Sequence, residues 1–301
     1  MKIITANSDA FNASSFSQEL TGYIAGYKVP NVEEALDFIA PKVPVPSRRF
    51  EYAKFGKGSL LVDTDDERAT FGTFKTITQS GEIVQAKLVH RGLTLVLDDD
   101  ELTSNYEQNA VEKLKRRLLR NELCRAAAML SSAASNTAKK WMATGTGKTT
   151  PDADLQTLVS SVADDCGISA NRILFGETAW AYRYAALVAS SAPGEGASAR
   201  MNPSELAMFL GIDELRISKE RIENPDKTKK SVLASDKVFA FNAQKGVDVD
   251  DPSTFKRFVG EGGFKVFIEE KAAGKLITVH HYSLLAQTGV GSCKCITVSN
   301  S

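Results

Sequence analysis

The stretch Glu101–Asn136, ELTSNYEQNAVEKLKRRLLRNELCRAAAMLSSAASN, carries the longest regular pattern in the chain. At 100° per residue, apolar side chains fall on one broad half of a helix and basic side chains fall on the other. The apolar half contains Val111, Leu114, Leu118, Leu119, Leu123, Ala126, Met129 and Leu130. The opposite stripe contains Lys113, Arg116, Arg117 and Arg120. The pattern predicts a long amphipathic helix whose apolar face packs against a core.

This basic stripe is the only strong charge bias in a balanced chain. The 301 residues include 37 Lys plus Arg and 37 Asp plus Glu, so no net field attracts the whole molecule to nucleic acid or to an anionic membrane. Residues 110–125, however, contain six basic and two acidic side chains. Such a face suits a phosphate backbone, and it equally suits solvent or the acidic loops of a neighbouring chain.

The residues before the helix predict an arm and a long β-hairpin. Residues 1–30 are polar with scattered apolar anchors, which is typical of an extended arm, and Asn31 is expected to cap a short helix that ends before Pro41. From Arg48 to Leu97 the apolar period becomes two, with a turn at Ser80–Gly81. The two predicted strands carry Phe71, Thr73, Lys75 and Ile77 before the turn, and Val84, Ala86 and Leu88, alternating with Gln85 and Lys87, after it.

The predicted hairpin has too little apolar surface to form a core alone, so we expect it to lean on a neighbouring chain. The candidate intersubunit contacts are Phe71, Lys75, Ile77, Val84, Lys87 and Leu88.

The residues after the helix predict a mixture of helices and strands, so the fold class is α+β. Pro151 and Asp152 open a helix that runs to about Asp165, and Gly167 ends it. Further helices are expected around Trp180 and over Asn202–Leu210, separated by a mobile or interface-ordered loop at Ser190–Ala199. The predicted strands are Arg172–Phe175, Val238–Phe241, Phe264–Ile268, Leu276–Tyr282 and Cys293–Val298.

Two motifs suggest chemistry, and each has a simpler interpretation. Gly145–Thr149 resembles a phosphate-binding loop, but Met142 stands where that motif needs glycine, and the loop is expected to follow a helix rather than a strand. A helix-to-helix turn is therefore predicted. Cys293 and Cys295 share one face of a strand, where they are expected to pack as small apolar residues rather than to bind a metal with His280 and His281.

The remaining patterns favour no enzyme. The chain has no Gly-x-Ser-x-Gly elbow, and its acidic clusters at 63–67 and 98–101 are expected to be solvated. We therefore expect no catalytic residues, no metal and no cofactor. The N-terminus lacks the apolar centre of a signal peptide, and no apolar run reaches membrane-spanning length, so a cytosolic chain without a membrane partner is expected.

Three segments in this order are similar to segments of one family: FIAPKVPV at 38–45, Trp141 followed by PDADL at 151–155, and GISANRILF at 167–175 running into TAW at 178–180. Together with the sequence of arm, hairpin, long helix and α+β half, they cover nearly the whole chain. In these features the chain resembles the major capsid proteins of tailed bacteriophages, which have the Hong Kong 97 fold.

The resemblance implies a structural subunit that self-assembles into pentamers and hexamers of an icosahedral shell around double-stranded DNA. It implies an N-terminal arm at 1–47, an extended hairpin loop at 48–97, a peripheral domain with the long helix at 98–150, a mainly axial domain at 151–270, and C-terminal strands at 271–301 that return to the shell body. In this family the long helix lies towards the inner surface, so the basic stripe is a candidate DNA-facing surface.

The implied partners are further copies of the chain, a separate scaffold protein, a portal and packaged DNA. The implied location is the virion capsid, assembled in the cytoplasm of a bacterial host. Three alternatives stay open from the sequence: an encapsulin-type compartment with the same fold, a nucleotide-binding enzyme that uses Lys148 and Thr149, and a monomeric DNA-binding module.

Overall fold

A computed structural model of the protein describes residues 15–57, 67–68, 70, 72–74, 81–98, 100, 105–141, 145, 147–190, 194–223, 228–244, 249, 251–272 and 274–300. The described helices are α1 Gln18–Gly26, α2 Val32–Ile39, α3 Tyr106–Ala133, α4 Pro151–Cys166, α5 Glu177–Val188, α6 Glu195–Ala199 and α7 Pro203–Leu210. The described strands are β1 Lys42–Val45, β2 Arg49–Phe55, β3 Gly81–Lys87, β4 Val89–Asp98, β5 Ser135–Lys140, β6 Arg172–Gly176, β7 Glu214–Ser218, β8 Arg221–Glu223, β9 Lys229–Ser231, β10 Lys237–Phe241, β11 Phe255–Gly260, β12 Lys265–Lys271, β13 Gly274–Gln287 and β14 Cys293–Ser299. The predicted α+β class is confirmed.

Two five-stranded sheets organise the described part of the chain. In the first, which we call the β13 sheet, β13 pairs with β4 along one edge and with β12 and β11 along the other, and β1 joins β11 in parallel. The second, the β10 sheet, has the strand order β5-β14-β10-β6-β7. The C-terminal strand β14 thus returns to the β10 sheet, whereas β11 and β12, from the range predicted as mainly axial, belong to the β13 sheet.

The long helix α3 connects the two sheets because its apolar face is long enough to cover both. Its first half places Val111, Leu114 and Leu118 against β12 and β13. Its second half places Leu119, Leu123, Ala126 and Leu130 against the β10 sheet. At 1.5 Å per residue, the 28 residues span about 42 Å. The predicted apolar face is therefore confirmed, although the helix occupies Tyr106–Ala133 rather than Glu101–Asn136.

The other face of the β10 sheet is covered by α4, α5 and α7, which pack around Phe175, Val238 and Ala240. All five residues of β6 are buried because helices cover both sides of the sheet. The predicted end of α4 is confirmed, since Gly167 adopts a left-handed conformation with a φ of 80°. Pro203 opens α7 behind the capping residue Asn202, as the sequence indicates.

Several local predictions are wrong. Residues 18–26 form α1, which Ser17 caps and which buries Leu20 and Ile24, so this part of the predicted arm is helical. Asn31 precedes α2 but makes no side-chain capping bond, because its φ is 66°. The predicted loop at Ser190–Ala199 contains the short helix α6.

The hairpin prediction is confirmed for one strand but not for its partner. β3 pairs with β2, and Tyr52 lies opposite Val84. The described residue Thr73 lies outside any strand, and Phe71, Lys75 and Ile77 lie outside the described residues. The β2–β3 ribbon places Phe50, Tyr52, Val84 and Ala86 on the outer face of the β13 sheet, against Phe258 and Leu88. Leu88 is 2% exposed, so its side chain is already covered within the chain.

Candidate nucleic-acid interface

The solvent-facing side of α3 carries positive charge without negative charge. Its exposed residues are Gln108, Asn109, Lys113, Arg116, Arg117, Arg120, Asn121, Ala128, Ser131 and Ser132. All four residues of the predicted basic stripe are in this set, and along the described length of α3 no carboxylate is. The exposed face that contains these four cations is called the α3 stripe.

The three carboxylates of α3 each have a partner outside the α3 stripe, and only Glu122 is buried. Glu107 accepts a hydrogen bond from Tyr106 and lies 3.5 Å from the ammonium of Lys275. Glu112 accepts a hydrogen bond from the hydroxyl of Tyr23, which raises the pKa of that tyrosine. Glu122 is 1% exposed, and its carboxylate lies 3.4 Å from the guanidinium of Arg257. The sorting of charges by helix face leaves the α3 stripe unneutralised by its own helix.

Neighbouring segments hold two of the stripe's guanidinium groups. Arg116 donates to the hydroxyl of Tyr27 at 2.9 Å, and Arg120 donates to the carbonyl of Arg221. A fixed guanidinium loses less conformational entropy when it binds an anion than a freely moving one does. These contacts therefore favour anion binding on this face.

Lys115, the basic residue between the stripe positions, has a different role. It is 5% exposed, donates to the carbonyl of Ile24 at 3.1 Å and lies 3.3 Å from the carboxylate of Glu33. Its ammonium ties α1 and α2 to α3. Only part of the positive charge in residues 110–125 therefore reaches solvent.

A buried ionic cluster below α3 was not found from the sequence. Arg257 on β11 pairs with Glu122 and with Asp37 on α2. His281 on β13 stacks on Phe264, with ring centroids 4.4 Å apart. Burial lowers the pKa of His281 to about 4, with Arg257 acting in the same direction and Glu122 opposing it. These groups come from distant parts of the chain, and no local sequence pattern announces them.

The Gly145–Thr149 loop has a context that differs from the prediction. It follows the strand β5 and precedes α4, so the expectation that it emerges from a helix is wrong. The N-terminus of α4, however, already holds carboxylates where a phosphate would bind. Asp152 accepts a bidentate hydrogen bond from Arg183, and Asp154 accepts from Trp141 and pairs with Lys139. Two buried carboxylates in the first turn oppose a phosphate there.

The cysteines pack as predicted. Cys293 and Cys295 lie in the core between the β10 sheet and α3, and burial raises the pKa of Cys295 to about 12. His280 and His281 belong to the other sheet. Within the described ranges, no three His, Cys, Asp or Glu side chains come together as metal ligands.

The predicted hairpin contacts divide by accessibility. Lys87 is exposed, Val84 is half-buried, and Leu88 is buried. Ile83, which is not among the predicted contacts, is 70% exposed on the outer side of the β2–β3 ribbon. Its position as an apolar residue on the strand face of Gln85 and Lys87 is the sequence feature that could have identified it.

Among the helices that the structure describes, none has the length and apolar character needed to span a membrane.

Known structures share this architecture along almost the entire chain. A phage-related protein from Bordetella bronchiseptica RB50 superposes with a TM-score of 0.71 at 15% identity, over 94% of this chain and 96% of that one. The mature capsid protein of bacteriophage PhiM1 gives a TM-score of 0.53 at 9% identity, over 100% and 92%. The capsid protein of cyanophage P-SCSP1u gives 0.50 at 12% identity, over 88% of each chain. No family model and no curated protein matches the sequence.

The agreement in fold thus extends over most of the chain despite identities of 15% or less. The chain has the Hong Kong 97-type fold.

Proposed function

We propose that this protein is a shell subunit, the major capsid protein of a tailed bacteriophage, which assembles into pentamers and hexamers around double-stranded DNA. The observation that carries the proposal is the agreement in fold over 94% of the chain with a phage-related protein, and with phage capsid proteins over similar lengths. The role is structural. Copies of the chain, a separate scaffold protein, a portal and packaged DNA are its partners, and it resides in the virion after assembly in the bacterial cytoplasm.

The α3 stripe is the surface that we assign to the packaged DNA. Lys113, Arg116, Arg117 and Arg120 lie within about 100° of one another and within about 11 Å along the helix axis. Four cations on one face, without an exposed carboxylate on the same helix, attract a phosphate backbone independently of base sequence. Packaged DNA presents many different base sequences to the shell, so contacts with it must not depend on base sequence.

The β2–β3 ribbon is the element that we assign to a neighbouring subunit. Its inner side packs on the β13 sheet, while Ile83 and Lys87 face outwards. An isolated two-stranded ribbon is marginally stable in water, so a second packing surface on its outer side would stabilise it. Lys87 remains a candidate for this contact, whereas Val84 packs on the inner side. Phe71, Lys75 and Ile77, which lie outside the described residues, remain candidates as well.

Sedimentation velocity and negative-stain microscopy of the purified chain test the proposal, with and without assembly-promoting salt. We expect rings of five or six subunits, tubes or closed shells. Their contents then separate a genome-packaging shell from an encapsulin-type compartment. A monodisperse monomer under all conditions, with candidate scaffold also present, would contradict the proposal.

A further inference from the structure

The β8–β9 hairpin lies beside the exposed face of α3 and is fixed there from below. Leu233, which follows β9, is 2% exposed and packs in the same cluster as Leu123 and Ala127 of α3. Val232 packs against that cluster. The guanidinium of Arg120 donates to the carbonyl of Arg221 on β8. The hairpin and the helix therefore form one continuous surface.

One exposed cation of this hairpin extends the row of charges on the helix. Lys230 on β9 is exposed. It pairs in register with Ile222, the neighbour of Arg221, whose carbonyl accepts the hydrogen bond from Arg120. Lys230 also acts with Arg120 to lower the pKa of the Cys124 thiol, against the larger effect of burial. The hairpin thus places Lys230 beside the segment that Arg120 contacts.

The acidic groups at 177, 220 and 223, all among the described residues, have other partners or other register positions. Glu220 accepts hydrogen bonds from Ser218 and from the backbone of Lys219, and Glu177 pairs with Arg221. Glu223 is exposed and lies opposite Lys229 in the ribbon rather than opposite Lys230, which pairs in register with Ile222. Arg221 is neutralised by its ion pair, whereas Lys230 carries positive charge to the surface.

We propose that the β8–β9 hairpin is a second element of the DNA-binding surface, and that Lys230 contacts the phosphate backbone together with the four cations of the α3 stripe. The inference rests on the proposed function for the location of the DNA, and it adds a partner element that the helix pattern alone does not reveal. The ligand is double-stranded DNA, bound through its phosphates without base preference.

The salt dependence of binding by unassembled subunits tests this inference. Each phosphate contact contributes about 0.9 to the slope of log K against log salt concentration, so five contacts predict a slope of about −4.5 and four predict about −3.6. We expect Lys230→Gln to make the slope shallower by about 0.9, from about −4.5 to about −3.6. The slope is measured with a labelled random-sequence duplex between 50 and 200 mM salt. Lys42→Gln, which removes an exposed lysine from β1, is the matched control and should leave the slope unchanged.

The result is separable from the test of assembly. If Lys230→Gln and the unsubstituted chain give the same slope while Arg117→Gln gives a shallower one, the α3 stripe binds DNA and the hairpin does not. If the chain forms shells but neither substitution changes the slope, the inference fails and the shell assignment stands. The inference is supported if Lys230→Gln makes the slope shallower and Lys42→Gln does not.

Discussion

The β10 sheet is covered by apolar clusters on both faces, whereas the β2–β3 ribbon is covered on one face only. The sheet has apolar clusters on both faces, and its central strands β6 and β10 are almost completely buried. The ribbon has one packed face, while its other face exposes Ile83, Gln85 and Lys87. The sheet therefore satisfies its apolar faces within the chain, whereas the ribbon leaves one side exposed to solvent.

Truncation of a side chain in the body should have the largest effect on stability. Phe239 is fully buried on the central strand β10, between α3 and the β10 sheet. We expect Phe239→Ala to lower the free energy of unfolding of the unassembled subunit by about 4 kcal/mol, because it removes buried apolar contacts and leaves a cavity. Urea denaturation measures this loss. A loss below about 1 kcal/mol would contradict a closed core at this position.

Removal of a buried charge partner should have the next largest effect. Arg183 is 1% exposed, binds Asp152 in a bidentate manner, and donates to the carbonyl of Ser198. We expect Arg183→Met to cost about 3 kcal/mol, because Asp152 then remains as a largely buried, unpaired carboxylate. The double variant Arg183→Met with Asp152→Asn is the control, and it should recover part of the lost unfolding free energy.

Protonation of the buried His281 should contribute to the loss of unfolding free energy at acidic pH. His281 has a pKa of about 4 when folded and about 6.5 when unfolded, so the unfolded chain binds more protons between these values. The contribution of His281 is therefore present above pH 6.5 and is lost as the pH falls towards 4. We expect unfolding free energies of His281→Gln to fall by about 2 kcal/mol less than those of the unsubstituted chain between pH 7 and pH 5. Equal losses for the two proteins between pH 7 and pH 5 would contradict this role for His281.

A polar substitution on the outer side of the ribbon should have the smallest effect on stability but a large effect on assembly. Ile83 is 70% exposed, so Ile83→Asp should change the unfolding free energy by no more than about 0.5 kcal/mol. The same variant should fail to form shells, because a charge then enters the proposed intersubunit contact. Ile83→Leu should assemble normally. Normal shells from Ile83→Asp would remove this face from the interface.

The features predicted correctly from the sequence are those with a local cause. The burial pattern of α3 follows from its 3.6-residue period, and the end of α4 follows from Gly167. The segment β5 escaped prediction because SNTAKK is polar, and its residues are exposed apart from the half-buried Lys139. A strand at the edge of a sheet needs no apolar alternation, so its sequence contains none.

The features that were missed depend on distant pairings. Among the described residues β3 pairs with β2, where Phe50 and Tyr52 supply aromatic contacts with Phe258. The pair formed by Glu122 and Arg257 joins residues 135 positions apart. In the candidate interface, the exposure of the α3 stripe followed from helix geometry, but the approach of Lys230 depends on how the β8–β9 hairpin packs.

Electron cryomicroscopy of the assembled particle tests the central claim most directly, because it fixes both the assembly and the orientation of α3. We expect a closed icosahedral shell of pentamers and hexamers in which Lys113, Arg116, Arg117 and Arg120 line the inner surface. A shell in which these four side chains face outwards or lie between subunits would contradict the DNA-facing assignment. A chain that forms no closed particle would contradict the account as a whole.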